Sequence, residues 1–461
     1  MATAPKVIDS AALASSLPDL AAVAASVRGG TLDGWTTTLA GDGSWLAIGP
    51  STLAFGDQPP DALDLNDLNL EYDGGKILVY GAFLQHSSAD RDTNRPVARG
   101  ASLAVRVTPV ASVGVPVVTR TFVNVRNTFL QDVAFPRLLL DTATQSRSRG
   151  WLPLHVRGAD VDVYFIGQGL PEAYLVFECL DADCLTIQQQ TFPALRKFLS
   201  YLLGVPLGGR SILTWSDQDG RWGGAEFLAG DAVDPTIYRP LPCGGVEWQL
   251  ACEAVNEKCY FSEALAPERL SAVIDRYLDL HDLGVTVEYL LRFPSAPVEM
   301  RGALLSVALE SLTSHMERAG LVACENPVSD EEWRKLLGKF VTAIGEHVPT
   351  GASRSILVQR VAGLNRPSNS QKLLKPFEVL GVALDKESKA AIDRRNKLLH
   401  EGRLLETDPA KRAGDDWKKA YAVEMRIYNA VNQLMLKYLG YTGLVTLWSD
   451  DPHGAPTYVR I

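Results

Sequence analysis

The spacing of apolar residues changes once along this 461-residue chain, near residues 255 to 295. Before the change, short segments rich in β-branched and aromatic residues alternate with Gly, Pro, Asp and Asn, which is typical of strands joined by turns. After it, apolar residues recur at intervals of three and four, which is typical of amphipathic helices. The two patterns in succession predict an α+β fold of several domains: a mostly antiparallel β-rich domain followed by an all-α helical bundle.

The β-rich domain is predicted to cover residues 31–262 and to follow an N-terminal segment, residues 1–30, that is helical or loosely ordered. One helix interrupts the strands at Phe192 to Leu203, where four apolar residues form one stripe that ends before Gly204. The predicted strands include Lys76 to Leu84, Val117 to Val125, Ala173 to Cys179, Thr236 to Pro240 and Val246 to Ala251.

Residues 263–293 are predicted to form a connecting helix, and residues 294–461 a helical domain with a short C-terminal tail. Ser329 followed by Asp-Glu-Glu is a helix start with an N-cap and a capping-box glutamate. The predicted helices of this domain are Val298 to Ala319, one that begins at Ser329, Ser353 to Leu364, Gln371 to Leu384, Asp385 to Arg403 and Asp415 to Leu439.

The net charge of −9 is unevenly distributed between the two halves of the chain. Residues 294–461 carry 23 Lys and Arg against 20 Asp and Glu, whereas residues 1–293 carry 22 against 34. Because nucleic acid attracts positive charge, the acidic excess disfavours a nucleic-acid partner for the first half, whereas the slight basic excess of the second half permits one without indicating it.

Two features favour a reducing cytoplasm without membrane attachment. No apolar run reaches the roughly 18 residues that a spanning helix needs. The six cysteines are few and irregularly spaced. Zinc ligands could be drawn only from Cys243, Cys252, Cys259 and His281; because no C-x2-C pair exists, the sequence predicts neither a metal nor another cofactor.

The stretch Ala390 to Arg403 contains Arg395-Asn396-x-x-x-His400. On one helix Asn396 and His400 share a face, whereas Arg395 and His400 are about 140° apart. One helix therefore cannot easily direct both side chains at one phosphate. Gly402 is a predicted C-cap, and a histidine in the last turn of a helix is a plausible acid or base near neutral pH.

The region Val298 to Gly440 resembles an ApeA-like HEPN domain on three motifs in order. These are an Ala-Leu-Glu-Ser-Leu core at Ala308 to Leu312, the Arg-Asn-x-x-x-His helix, and a last helix that ends in Leu-x-x-x-Tyr-Leu-Gly-Tyr at Leu434 to Tyr441. The resemblance implies a small helical domain that forms a homodimer or a higher oligomer, in which two motif helices meet around one cleft. It also implies a metal-independent ribonuclease.

The resemblance assigns catalytic roles to three residues of the motif. His400 would move protons, Arg395 would neutralise charge on the phosphorane oxygens, and Asn396 would orient the histidine or bind phosphate. Glu310 is the expected partner of Arg395, either in a plain structural ion pair or as part of the site. Arg394 and Lys397 would contact RNA phosphates or remain solvated.

The sequence thus predicts a cytoplasmic bacterial endoribonuclease in anti-phage defence or a toxin-like system. It would cut RNA, tRNA among the candidates, when the N-terminal domain senses a trigger. The alternative is a HEPN module that binds RNA, nucleotide or a protein without cutting. An unrelated hydrolase or transferase is disfavoured, since the chain has neither G-x-S-x-G nor a phosphate-binding G-x-x-x-x-G-K-S/T loop.

Overall fold

In the computed structural model the chain forms two compact units. The first unit consists of Met1–His281, Tyr441–Thr446 and Thr457–Arg460, and the second of Asp282–Gly440, Leu447–Pro456 and Ile461. The residues that the structure describes are 4–17, 27–28, 30–32, 35–39, 44–48, 67–72, 75–80, 83–89, 96–101, 104–109, 114–125, 133–167, 173–181, 183–204, 207, 211–228, 238–256, 265–323, 325–401 and 416–461.

A mixed β-sheet dominates the first unit. Its order is β1-β12-β13-β14-β15-β11-β16-β17, continued by β10-β7-β6-β2 to twelve strands, and a second sheet has the order β3-β4-β5-β9-β8. The strands are β1 Lys6–Ile8, β2 Val27–Arg28, β3 Gly30–Leu32, β4 Trp35–Leu39, β5 Ser44–Ile48, β6 Asp67–Tyr72, β7 Gly75–Tyr80, β8 Phe83–Ala89, β9 Pro96–Ala101, β10 Ala104–Pro109, β11 Val118–Val125, β12 Arg137–Asp141, β13 Ser146–Val156, β14 Ala159–Ile166, β15 Ala173–Leu180, β16 Ser211–Ser216, β17 Trp222–Leu228, β18 Leu444–Leu447 and β19 Thr457–Arg460.

The described helices are α1 to α4 in the first unit and α5 to α11 in the second. They are α1 Ser10–Ser15, α2 Cys184–Leu203, α3 Gly245–Ala254, α4 Pro267–Asp279, α5 Leu283–Arg292, α6 Val298–Arg318, α7 Asp330–His347, α8 Ala352–Ala362, α9 Asn369–Val379, α10 Lys386–Glu401 and α11 Asp416–Tyr438. A strand-rich first half followed by helices confirms the predicted α+β class. The segment predicted as one connecting helix, residues 263–293, holds α4 in the first unit and α5 in the second.

One face of the main sheet is covered by α2 and α4 and forms an apolar core. The α2 helix contacts β11 and β15, and α4 contacts β13. The Phe198 ring of α2 stacks on the Tyr277 ring of α4 with centroids 4.2 Å apart. The main-chain N–H of His155 donates to Ser271 Oγ at 2.8 Å, which fixes the β13–β14 hairpin to α4. The α2 helix confirms the predicted helix at Phe192 to Leu203 and begins eight residues earlier, at Cys184.

The opposite face of the sheet is covered by the N-terminal segment. The β1 strand pairs in parallel with β12, and α1 follows at once with an Asp9 N-cap. Leu13 and Leu17 pack against a cluster of buried side chains that includes Ile8, Phe122 and Tyr164. The β1 strand was not predicted, because a strand of three residues is too short to show alternation.

The predicted strand at Val246 to Ala251 is wrong, because this segment lies in helix α3. Val246 and Leu250 suggested alternation, yet their side chains are 74% and 49% exposed. Trp248, Ala251 and Cys252, which are three and four positions apart, are the residues that α3 buries. The predicted strand at Thr236 to Pro240 falls partly outside the described residues.

The second unit is built around α6 and α11, which contact each other directly. Both helices bury apolar side chains almost completely, among them Leu305, Leu309, Leu312, Val431 and Leu434. The α10 helix packs on both of them. Among the described residues, no helix is both long enough and apolar enough to cross a membrane.

Candidate functional site

The predicted catalytic motif lies on one continuous helix. The α10 helix runs from Lys386 to Glu401 and therefore includes Arg395, Asn396 and His400. The structure describes side chains in this helix only up to Arg394, so those of the three motif residues and of Lys397 are outside the described part. The roles predicted for these four residues remain predictions.

The start and middle of α10 are held by defined contacts. Asp385 Oδ1 accepts a hydrogen bond from the main-chain N–H of Ser388 at 2.6 Å, so Asp385 caps the helix. Hydrogen bonds from the side chain and main chain of Ser388 lower the pKa of Asp385. Ala391 and Ile392 are buried against the bundle. These contacts fix which side of α10 faces its neighbours.

The helical periodicity extends this assignment to the motif positions. The position of Arg395 is four residues after Ala391 and three after Ile392, so it lies within about 40° and 60° of them around the helix axis. The position of His400 is about 130° from the middle of the buried side. The backbone thus places the arginine position on the side facing the bundle and the histidine position on the flank.

The predicted acidic partner, Glu310, lies on α6, which contacts α10. Its side chain is half-buried, next to Leu309 and two positions before Leu312, both of which are fully buried. A carboxylate at such a position favours a cationic neighbour. Pairing with Arg395 cannot be read from the described side chains and remains a prediction.

The residues just before the motif differ in their surroundings. Arg394 is exposed, whereas Asp393 accepts a hydrogen bond from Ser370 Oγ at 2.6 Å and so connects α10 to α9. An exposed arginine has its guanidinium available to phosphate oxygens, which is the role predicted for Arg394.

A second acidic residue of the helical unit, Glu424, was missed by the sequence reasoning. It lies on α11 with 1% of its surface exposed, and burial raises its pKa to about 7, against a weaker opposing effect of Arg301. Within the described part of the chain, its Oε1 atom has no hydrogen-bond partner. The signal was present, because Glu424 follows Ala420 and precedes Tyr428 by four positions, and both of these are buried.

The described side chains include no cluster of three or more His, Cys, Asp or Glu residues that could hold a metal ion. Cys243 and Cys252 are buried free thiols, and burial raises the pKa of Cys243 to about 12, which disfavours the thiolate that metals bind. Cys259, the third cysteine considered for zinc, lies outside the described residues.

Comparison with protein-family models, with curated proteins and with solved structures found no match to this chain.

Proposed function

We propose that the chain is a metal-independent endoribonuclease whose helical unit is a HEPN domain. The observation that carries the proposal is the continuous helix α10, which holds Arg395-Asn396-x-x-x-His400 and packs on both α6 and α11. The Glu310 helix, the motif helix and the long last helix follow one another in the order that the sequence resemblance requires.

The reaction proposed is transesterification within RNA. A base takes the proton from a 2′-hydroxyl, the 2′-oxygen attacks the adjacent phosphorus, and the bond from phosphorus to the 5′-oxygen breaks. The leaving 5′-oxygen takes a proton, so the products are a 2′,3′-cyclic phosphate and a 5′-hydroxyl. Histidine suits both proton transfers because its pKa is near neutrality, and a guanidinium stabilises the charge on the phosphorane oxygens.

The active form proposed is a homodimer, or a higher oligomer built from such dimers. In a single copy, the arginine position faces the bundle and the histidine position lies on the flank of α10. Two copies of α10 that meet would bring His400 of one chain towards Arg395 of the other. One imidazole could then act as base while the second acts as acid, with Asn396 holding the imidazole or the phosphate.

The substrate proposed is RNA, with tRNA among the candidates, in a bacterial cytoplasm. The exposed Arg394 and the slight basic excess of residues 294–461 support an RNA partner. Lys397 would join Arg394 in phosphate contacts, and Glu310 would hold Arg395 in place. The β-rich unit would respond to the trigger in anti-phage defence or in a toxin-like system.

The test is cleavage of total RNA by the purified full chain in EDTA. His400→Ala is expected to lower the rate by about 10²–10⁴-fold, and Arg395→Ala by about 10²–10³-fold. His347→Ala and Arg360→Ala are matched controls, since both side chains are exposed on α7 and α8, and they should cut as wild type does.

The RNA ends and the binding affinity separate the alternatives. Ends that carry 2′,3′-cyclic phosphate, formed by the wild type and by both controls, would support the proposal. Equal cutting by His400→Ala would refute the site. RNA binding without cutting, unaffected by His400→Ala, would instead favour the non-catalytic binding module.

A further inference from the structure

A cavity of about 450 Å³ lies in the first unit, between the main sheet and the end of the N-terminal helix α1. Its volume is in the range of pockets that hold small organic ligands. Ser16, just after α1, forms one wall, and residues of β11, β16 and the turn into β17 form the others. The cavity lies entirely within one compact unit.

Strand register explains why the lining side chains converge. Arg120 of β11 is opposite Thr214 of β16, and Val118 is opposite Ser216. Ser216 is in turn opposite Trp222 of β17. Directly paired residues point to the same face of a sheet, so these five side chains share the face that α1 covers.

The aromatic wall is set by an irregularity between β16 and β17. The pairing register shifts between Trp215 and Ser216. A Cβ atom on Gly223 would lie 2.5 Å from Trp215 Cδ1, so the indole of Trp215 lies directly against the Gly223 backbone. Trp215 is 8% exposed, whereas Trp222 is 36% exposed. Trp222 therefore offers an open aromatic surface at the cavity.

The charged group that lines the cavity is Arg120, which belongs to a partly buried network of charges. Its Nε donates to Glu178 Oε2 at 2.6 Å, and Lys6 Nζ contacts Glu178 Oε1 at 2.6 Å and Asp162 Oδ2 at 2.5 Å. Two cations and two carboxylates thus balance. Arg120 also interacts with the Tyr164 side chain, and its partly exposed guanidinium lines the cavity, where the η nitrogens are the donors that a ligand would share.

These features define the chemistry of the ligand. An indole with an open surface favours a flat ring, because ring stacking is worth about 1–3 kcal/mol per base. A guanidinium favours adjacent acceptors on the ring edge, as on guanine O6 and N7. The Ser16 and Thr214 hydroxyls donate to the main-chain oxygens of Leu13 and Arg120, which leaves their oxygen lone pairs as acceptors for a ring N–H. A formal charge on the ligand would unbalance the network, so a neutral ring fits better than an anion.

We propose that this cavity binds a nucleobase, guanine above the others, stacked on Trp222 with its acceptor edge on Arg120. The inference is independent of the proposed ribonuclease activity, because binding of a nucleoside can be measured without any RNA cleavage.

The experiment is calorimetric titration of the full chain with guanosine, adenosine, cytidine and uridine. Guanosine is expected to bind most tightly, and 7-deazaguanosine, which lacks the N7 acceptor, about tenfold more weakly. Trp222→Ala should weaken guanosine binding by at least about tenfold. Trp417→Ala, which removes a tryptophan 44% exposed on α11, is the matched control and should bind as wild type does.

Several outcomes decide the proposal. Absence of guanosine binding at millimolar concentration would overturn it, as would equal affinity of Trp222→Ala, given an unchanged circular dichroism spectrum. Guanosine 5′-monophosphate is expected to bind no more tightly than guanosine; a preference of tenfold or more would overturn the assignment to a neutral ring. If a single-stranded tetranucleotide that contains guanine binds more tightly than guanosine, the ligand is a base within a strand. If it binds equally or more weakly, the ligand is the free nucleoside.

Discussion

Two buried glutamates, one in each unit, have opposite pKa shifts. Glu178 in the sheet is 6% exposed, and Glu424 in the helical unit is 1% exposed. Burial alone raises the pKa of both. Arg120 and Lys6 together outweigh burial at Glu178 and lower its pKa, whereas Arg301 leaves the pKa of Glu424 at about 7. The charged partners, and not the depth of burial, therefore decide the direction of the pKa shift at these two buried carboxyls.

The two environments differ in hydrogen bonds as well as in charge. Glu178 Oε2 accepts from Arg120 Nε and from the Tyr164 hydroxyl at 3.1 Å, while Oε1 contacts Lys6. Arg301 is the cation that lowers the pKa of Glu424, yet its guanidinium donates to the main-chain oxygens of Ala296 and Pro294. In the first unit, hydrogen-bond donors surround the Glu178 carboxylate. In the described part of the second unit, Glu424 Oε1 has no such donor.

Removal of the charge at Glu178 should have the largest effect. Glu178→Gln leaves two buried cations with one carboxylate, Asp162, and we expect it to lower the free energy of unfolding by about 3–5 kcal/mol at pH 7. Denaturant unfolding followed by tryptophan fluorescence measures it, since Trp151 Nε1 donates to Asp162 in the same network.

The pH dependence of the free energy of unfolding, and a control variant, test whether the charge of Glu178 causes the loss of stability. Since the folded pKa of Glu178 is below the ordinary 4.5, its stabilising effect is present above pH 4.5 and is lost as the pH falls through the folded pKa. The difference between variant and wild type should shrink accordingly. Glu253→Gln, at an exposed carboxylate of α3, should change stability by less than about 0.5 kcal/mol. If Glu178→Gln and Glu253→Gln lower the free energy of unfolding equally, the buried position of Glu178 is not the cause.

Glu424→Gln should have the next largest effect on the free energy of unfolding, and it should raise this free energy instead of lowering it. Because the folded pKa is raised from 4.5 to about 7, the protonated form is favoured on folding, and this contribution is lost as the pH rises from 4.5 through 7. At pH 8 the variant should be more stable than wild type by about 3 kcal/mol, and at pH 4.5 equally stable. Unfolding free energies across this pH range measure it.

The matched control is Glu346→Gln, at an exposed position on α7, whose stability should follow that of wild type at each pH. If Glu424→Gln is less stable than wild type at pH 8, Glu424 is an ionised and paired carboxylate. The two glutamates would then be alike.

An exposed carboxylate should give the smallest effect. Asp385 is mainly solvent-accessible, and its pKa is lowered by hydrogen bonds from Ser388 at the start of α10. Asp385→Ala should cost about 1 kcal/mol through loss of the N-cap. Hydrogen exchange of the first α10 amides measures it, with Lys389→Ala as the exposed control on the same helix. Unchanged exchange in Asp385→Ala would show that the cap contributes nothing.

Local patterns in the sequence predicted much of the fold. The helix at Phe192 to Leu203 and the strand at Val117 to Val125 are present, the helix because it has one apolar stripe and the strand because it is rich in β-branched residues. The same reasoning failed at Val246 to Ala251, where apolar residues alternate over a segment too short to separate strand from helix. Tertiary burial of Trp248 and Cys252 decided the outcome.

The sites were less accessible to sequence reasoning. Local periodicity predicted the helix that carries Arg395 and His400, whereas the motif itself was proposed from a resemblance to a known family. No local pattern joins Lys6 to Glu178, which is 172 positions away, or Arg120 to Trp222, which becomes its neighbour through strand pairing. Glu424 stood at an apolar position of its helix, yet its charge state depends on neighbours that only the fold supplies.

The pairing of β1 with β12 has a consequence for synthesis of the chain. Because β1 is synthesised before β12 to β15, it must wait for them before Lys6 can meet both of its carboxylates. At about 5–20 residues per second, synthesis of the intervening chain takes roughly 10–35 s. For that time β1 lacks its partner strand and Lys6 lacks both carboxylates. The docking of this segment closes both the charge network and the wall of the cavity at Ser16, so this part of the unit is completed by residues made earlier than those that they contact.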